Sequence, residues 1–300
     1  TTLVHNGYVY AKIKKACYGL KKAGKIAQDN LVAHLKQHGY VCAGCTHGLF
    51  KHVSCNISFT LVVNDFGIKY TNRANLDHLI HVMQLKYKFK VDFDAEQYIG
   101  INMIWDYDRR EVRCSMDGYV KQALLELEHI PSDNRHHAAP SAAAKQNFGS
   151  SIQYVYNDDS DPVDEDQIQY IERVVGELLY YARAIDITMQ HALNDIATTM
   201  ANGTNLTLQA VQKLLDYAHC NPSSEIKFRA SQMILHVDSD AAYLVAPQAR
   251  SRAGGYHFLG NKDHTQFNAP IYVLAKVIKN VMASAMEAEI AARSEEHTSE

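Results

Sequence analysis

Phe59-Thr60-Leu61-Val62-Val63-Asn64-Asp65-Phe66-Gly67-Ile68-Lys69-Tyr70 is the stretch that decides the fold. An apolar, β-branched run reaches a polar pair, Gly67 follows closely, and a second apolar run resumes. That order predicts a β-hairpin with Asn64 and Asp65 at its tip. Such a tip holds a carboxylate on a rigid, exposed turn. Asn and Asp also occupy turns simply because they tolerate left-handed backbone, so the surroundings must separate a plain turn from a chemical one.

Both flanks of the hairpin carry helical spacing. Before it, Ile26, Leu31 and Leu35 recur at helical intervals as far as His38, and Gly39 supplies the stop. After it, Leu76, Leu79, Ile80 and Met83 do the same between Asn75 and Lys86. An alternating stretch at residues 8–15 predicts a further strand upstream. Downstream, Tyr98–Trp105 and Glu111–Ser115 flank a polar turn and predict a second hairpin, and Asp117-Gly118 opens a helix through Val120, Leu124, Leu125 and Leu127. Strand, helix, hairpin, helix, hairpin, helix is an α+β order, with one antiparallel sheet and helices on a single face.

Residues 130–167 are rich in Pro, Ser, Ala and His and end in an acidic run, Asp158 to Asp166, which predicts a solvated connector. A helical pair is expected over Tyr170–Met200 with a break near Ala184-Ile185-Asp186. Another helix runs from Leu206 to His219, stopped by Asn221-Pro222. The period then changes. Ile226–Phe228, Met233–Val237, Gly254–Leu259 and Ile271–Ala275 read as strands, and Val277–Ala292 as a closing helix, together a second α/β unit.

The 300 residues carry a net charge of −3, but the distribution is uneven. Through residue 51 there are eight lysines (12, 14, 15, 21, 22, 25, 36 and 51) against one acid, Asp29, a balance of +7. A lobe of that kind suits a polyanion, and it equally suits a solvated helix face. No apolar run approaches the ~18 residues a membrane span requires, and without a secretory leader the six cysteines are expected to be reduced thiols in an intracellular protein. Cys42 and Cys45 form a CxxC beside His38 and His47, without a second ligand pair at zinc-finger spacing.

Several segments resemble copia-type LTR retrotransposon reverse transcriptases. Lys15 to Ala23 is similar to the family's KALYGLKQA segment, Leu61 to Asp65 to its YVDD turn, Tyr98-Ile99-Gly100-Ile101 to its FLGL strand, and Val174 to Tyr180 to its LVGSLLY helix. They occur in the family's order over nearly the whole chain. The resemblance implies a polymerase palm over residues 1–129, a linker over 130–167, a helical connection over 168–222 and a ribonuclease H-like domain over 223–292. Asp65 would be a catalytic metal ligand, and Tyr18, Gly19, Leu20, Lys21 and Lys22 would line the nucleotide and template pocket. Asp238, in His236-Val237-Asp238-Ser239-Asp240, and Glu289, in Met286-Glu287-Ala288-Glu289, match the family's ribonuclease H metal ligands. Carboxylates converging from a strand and a helix can hold two divalent ions about 4 Å apart. RNA template, RNA–DNA hybrid and the other polyprotein parts, integrase and capsid, are the implied partners. Mg²⁺ or Mn²⁺ is the implied cofactor.

Three departures stand against an active enzyme. Position 64 is Asn where the family has Asp, and an amide brings no negative charge to Mg²⁺. Lys22 replaces the family's Gln. The first polymerase acid would lie before Thr1 and the later ribonuclease H acids after Ala292, as expected of an N- and C-terminally truncated fragment. Residues 293–300 resemble the translation of a common sequencing adapter and are left out of the fold. The expectation is a fragment of polymerase ancestry that is inactive, or a binding module for RNA or RNA–DNA hybrid, or an unexpressed decayed element.

Overall fold

The computed structural model describes residues 4–5, 8–9, 21–44, 46–142, 158–263 and 266–294. The expected strand through residues 10–15 and the expected pocket residues Tyr18, Gly19 and Leu20 lie outside them. Contacts divide the chain into two units, residues 1–99 and 100–300.

In the first unit, β1 (Val4–His5) pairs with β2 (Tyr8–Val9), followed by α1 (Ala23–Gln37), β3 (Tyr40–Cys42), β4 (Leu49–His52), β5 (Ile57–Val62), β6 (Asp65–Tyr70), α2 (Arg73–Gln84) and β7 (Gln97–Tyr98). Strands β3 to β6 form an antiparallel meander. Period-two alternation sorts β5 into two faces. Ile57, Phe59 and Leu61 are buried with Leu35 of α1 and Leu79, Val82 and Met83 of α2. Thr60 and Val62 face away from that core and are exposed. The two helices thus cover one face of the sheet, as the α+β reading expects. They are also tied directly, since His34 Nε2 lies 2.7 Å from the Val82 carbonyl. Gly39 ends α1 at φ 85°, a conformation that Cβ penalises.

The second unit runs through β8 (Ile101–Asp106), β9 (Glu111–Ser115), α3 (Tyr119–Glu126), α4 (Glu165–Ala184), α5 (Gln190–Thr199), α6 (Asn205–Cys220), β10 (Glu225–Arg229), β11 (Ile234–Ala246), β12 (Arg250–Gly260), β13 (Pro270–Val277) and α7 (Ala285–Ser294). Its largest core joins α3 to α6 over the buried Cys114 of β9. The expected strand Tyr98–Trp105 is interrupted, because Ile99 and Gly100 take φ 47° and 80° in succession. The strand at Ile226–Phe228 was expected with the ribonuclease H-like sheet, yet β10 pairs antiparallel with β9 from Glu225↔Ser115 to Arg229↔Glu111.

The connector also differs from expectation at both of its described ends. Asp164 and Gln167 form a reciprocal capping box, with Glu165 and Asp166 in the first turn of α4. Acidic side chains there complement the positive helix end, so part of the acidic run is a helix start. At the other end, Ser132 donates both its amide and its hydroxyl to Asp216 of α6. Lys213 Nζ lies 2.9 Å from His137 Nδ1, and Asn221 donates to the His137 carbonyl. Residues 130–137 are strapped to α6.

Strands β11, β12 and β13 form a separate antiparallel sheet, with α7 packed through Ala288 and Ala292 against Ala253, Leu274 and Ile278. The closing helix begins eight residues later than its spacing suggested. β13 continues to Val277, and Ser284 starts the helix by accepting the Glu287 amide.

Candidate functional site

The hairpin forms, with its tip shifted by one residue. Val62 pairs with Asp65, so Val63 and Asn64 make the two-residue turn and Asp65 opens β6. Val63 takes φ 56° and Asn64 does not join it in the left-handed region. A positive φ at the first central residue alone is the geometry that normally demands glycine in a two-residue hairpin. A β-branched residue there is an outlier. It is also 88 % exposed, so no packing rewards the conformation.

Asp65 pairs across the ladder with Val62, on the face that the helices leave open, and Asp65 and Asn64 are both exposed. On the same face Thr60 pairs with Gly67, and the Thr60 hydroxyl lies 2.7 Å from the Tyr98 hydroxyl. Gly67 is required there by contact: a Cβ would come within 2.8 Å of Thr60 Oγ1 and 3.1 Å of the Tyr98 ring. The sequence shows the glycine but not its partner 31 positions downstream.

Lys21 and Lys22 stand exposed at the start of α1, where Lys22 is the N-cap residue and no side chain caps the free amides. The first turn holds no acid. Two ammonium groups at the positive end of a helix do not stabilise it, and they make that end attractive to an anion.

Asp238 and Asp240 lie on one side of β11 and are exposed, paired with Tyr256 and Gly254 of β12. Ser239, Ala241 and Tyr243 alternate to the other side, and Ala241 and Tyr243 are the ones packed with the α7 core. Glu289 reaches β11 from α7 and accepts the Ala241 amide at 3.3 Å. It therefore lies against the Asp240–Ala241 peptide, while Asp238 sits two residues back, about 7 Å along the strand. Glu287 is engaged at the start of α7, where it accepts the Ala283 amide at 2.6 Å.

No group of three or more His, Cys, Asp and Glu side chains among the described residues is placed to hold a metal ion. At the turn, one carboxylate and one amide offer too little negative charge for two divalent ions, so the donor set does not fit that group.

A cluster that sequence reasoning missed lies behind the turn in the same unit. Tyr40, 1 % exposed, lies 3.0 Å through its hydroxyl from His78 Nδ1, and its ring stands 4.9 Å from that of His52. Burial, with Cys55 nearby, pushes the Tyr40 hydroxyl up to about 12. Burial and the neighbouring His52, His38 and His81 push His78 below the usual imidazole value. No helix of the described chain is long and apolar enough to cross a membrane.

No solved structure matches the chain. Residues 5–139, which run from β1 through both hairpins and α3, match the family model described as reverse transcriptase (RNA-dependent DNA polymerase).

Proposed function

We propose that this chain derives from the reverse transcriptase and ribonuclease H portion of a copia-type retrotransposon polyprotein, and that it binds RNA or RNA–DNA hybrid without metal-dependent synthesis. The observation that carries the proposal is the turn at Val63-Asn64-Asp65, inside the matched segment, with one carboxylate where a two-metal site needs more. Binding is supported by the lysine excess of the first 51 residues and by Lys21 and Lys22 at the uncapped start of α1. Three antiparallel strands followed by a helix, with Glu289 gripping β11, support ribonuclease H ancestry for the last part of the chain. Its Asp238 and Glu289 do not converge on one point, so a cutting activity is not proposed.

Fluorescence anisotropy with a labelled RNA–DNA template–primer tests the binding. Affinity is expected to fall by about tenfold or more between 50 and 200 mM salt, because each neutralised phosphate releases counterions. Absence of binding at low salt, or an affinity indifferent to salt, would refute it.

A further inference from the structure

In the second unit the sheet of β8, β9 and β10 extends past its helical cover. One row across it, Met103, Cys114 and Ile226, lies in or against the helical core. The next row on the same face, Trp105, Val112 and Phe228, runs out into a cleft of about 520 Å³. Tyr107 lies two residues beyond Trp105, and the two rings are parallel within 9° at a centroid separation of 6.0 Å. Trp105 is 41 % exposed and Tyr107 77 %. A parallel aromatic pair held this open forgoes burial, and it presents a flat π-face to solvent.

The charge at the rim selects the occupant. Of the two carboxylates lining the cleft, Glu111 is held by two cations, Lys227 at 3.6 Å and Arg229 at 3.0 Å. Asp106 accepts the Arg109 amide and lies 3.8 Å from its guanidinium. Both acids are thus neutralised, Glu111 by more than one positive charge, and Arg110 adds a further exposed guanidinium. Aromatic faces bordered by spare cations are what single-stranded nucleic acid binds, since every base has a π-face and every linkage a charge. A cleft of this volume is within the range of small-ligand sites and accommodates one nucleotide.

We infer that Trp105 and Tyr107 form a stacking platform for one unpaired nucleotide, its base against the aromatic pair and its phosphate at Arg110. This inference rests on the nucleic-acid reading above and adds a site apart from the Asn64–Asp65 turn.

Trp105 is the chain's only tryptophan, so its emission reports this site directly. The full chain is titrated at low salt with an end-labelled single-stranded oligothymidine octamer and with a blunt DNA duplex, reading tryptophan emission and label anisotropy together. The octamer is expected to quench Trp105 saturably and the duplex to leave it nearly unchanged. Tyr107→Ala is expected to weaken octamer binding about tenfold, and Tyr107→Phe to retain it. Far-UV circular dichroism confirms that both variants fold, and wild-type quenching decides the matter if either does not. Anisotropy showing bound octamer with Trp105 emission unchanged would overturn the platform and leave the reverse transcriptase reading intact. Failure of both octamer and template–primer to bind would overturn both.

Discussion

Val63 concentrates what is unusual at the hairpin. Its φ of 56° costs a β-branched residue about 1–3 kcal/mol, and its exposure leaves nothing to repay it. Val63→Gly would remove that strain and give back part of the gain, because glycine widens the unfolded ensemble. A net stabilisation of about 1 kcal/mol is expected from denaturant unfolding of the first unit, followed by far-UV circular dichroism. A destabilised variant would show that the turn is not strained. The polar pair and Gly67 were legible as a hairpin because turn chemistry is local. The one-residue shift of the tip was not, since register depends on which residues of β5 meet the helices. Nor was the Thr60–Tyr98 contact, because it joins residues 38 apart in sequence.

Between elements, the strap of residues 130–137 on α6 shows how a polar stretch is ordered without a core of its own. Asp216, 3 % exposed, accepts Ser132 through amide and hydroxyl and Gln212 through its amide nitrogen. Burial alone would raise its carboxyl, but the Ser132 donors, with His129 and His137, hold it below the usual range. His129 is pushed below the ordinary imidazole value mainly by burial, against the pull of Asp216 3.2 Å away, and His219 adds to the lowering. Folded His129 therefore resists a proton that the unfolded chain accepts near pH 6.5, so stability is complete above that value and is lost as pH falls below it. Asp216 acts in the same direction at lower pH, as its own depressed value is approached. Denaturant unfolding read by Trp105, which lies in this unit, is expected to show a midpoint that drops between pH 7.5 and 5.5. His129→Gln should flatten that drop, and an identical profile in the variant would contradict the account. The helices α1, α2, α4, α5 and α6 were legible from apolar spacing and stop signals. The strap and the pairing of β10 with β9 were not. Both are set by partners 80 to 118 positions away, and a hydrophilic segment gives no periodic sign of what it will bond.

Across the whole chain, charge and chemistry are divided unequally. The lysine-rich first lobe, the +7 of residues 1–51, meets a segment whose family match is to an RNA-dependent DNA polymerase. The acids that would complete the chemistry do not assemble among the described residues. Asn64 alone removes a unit of negative charge from the turn, and hard divalent ions discriminate strongly between a carboxylate and an amide. The site residues proposed from resemblance were legible as types. Their failure to converge was legible only at Asn64, because Asp238, Asp240 and Glu289 could be related only through the register of β11 and the packing of α7. Binding without synthesis is the combination that these features support together. Primer extension on a bound RNA template, with all four deoxynucleotides and either Mg²⁺ or Mn²⁺, tests it most directly. The account predicts retention of the template–primer and no product above a protein-free control, whereas template-dependent extension of the primer would contradict it.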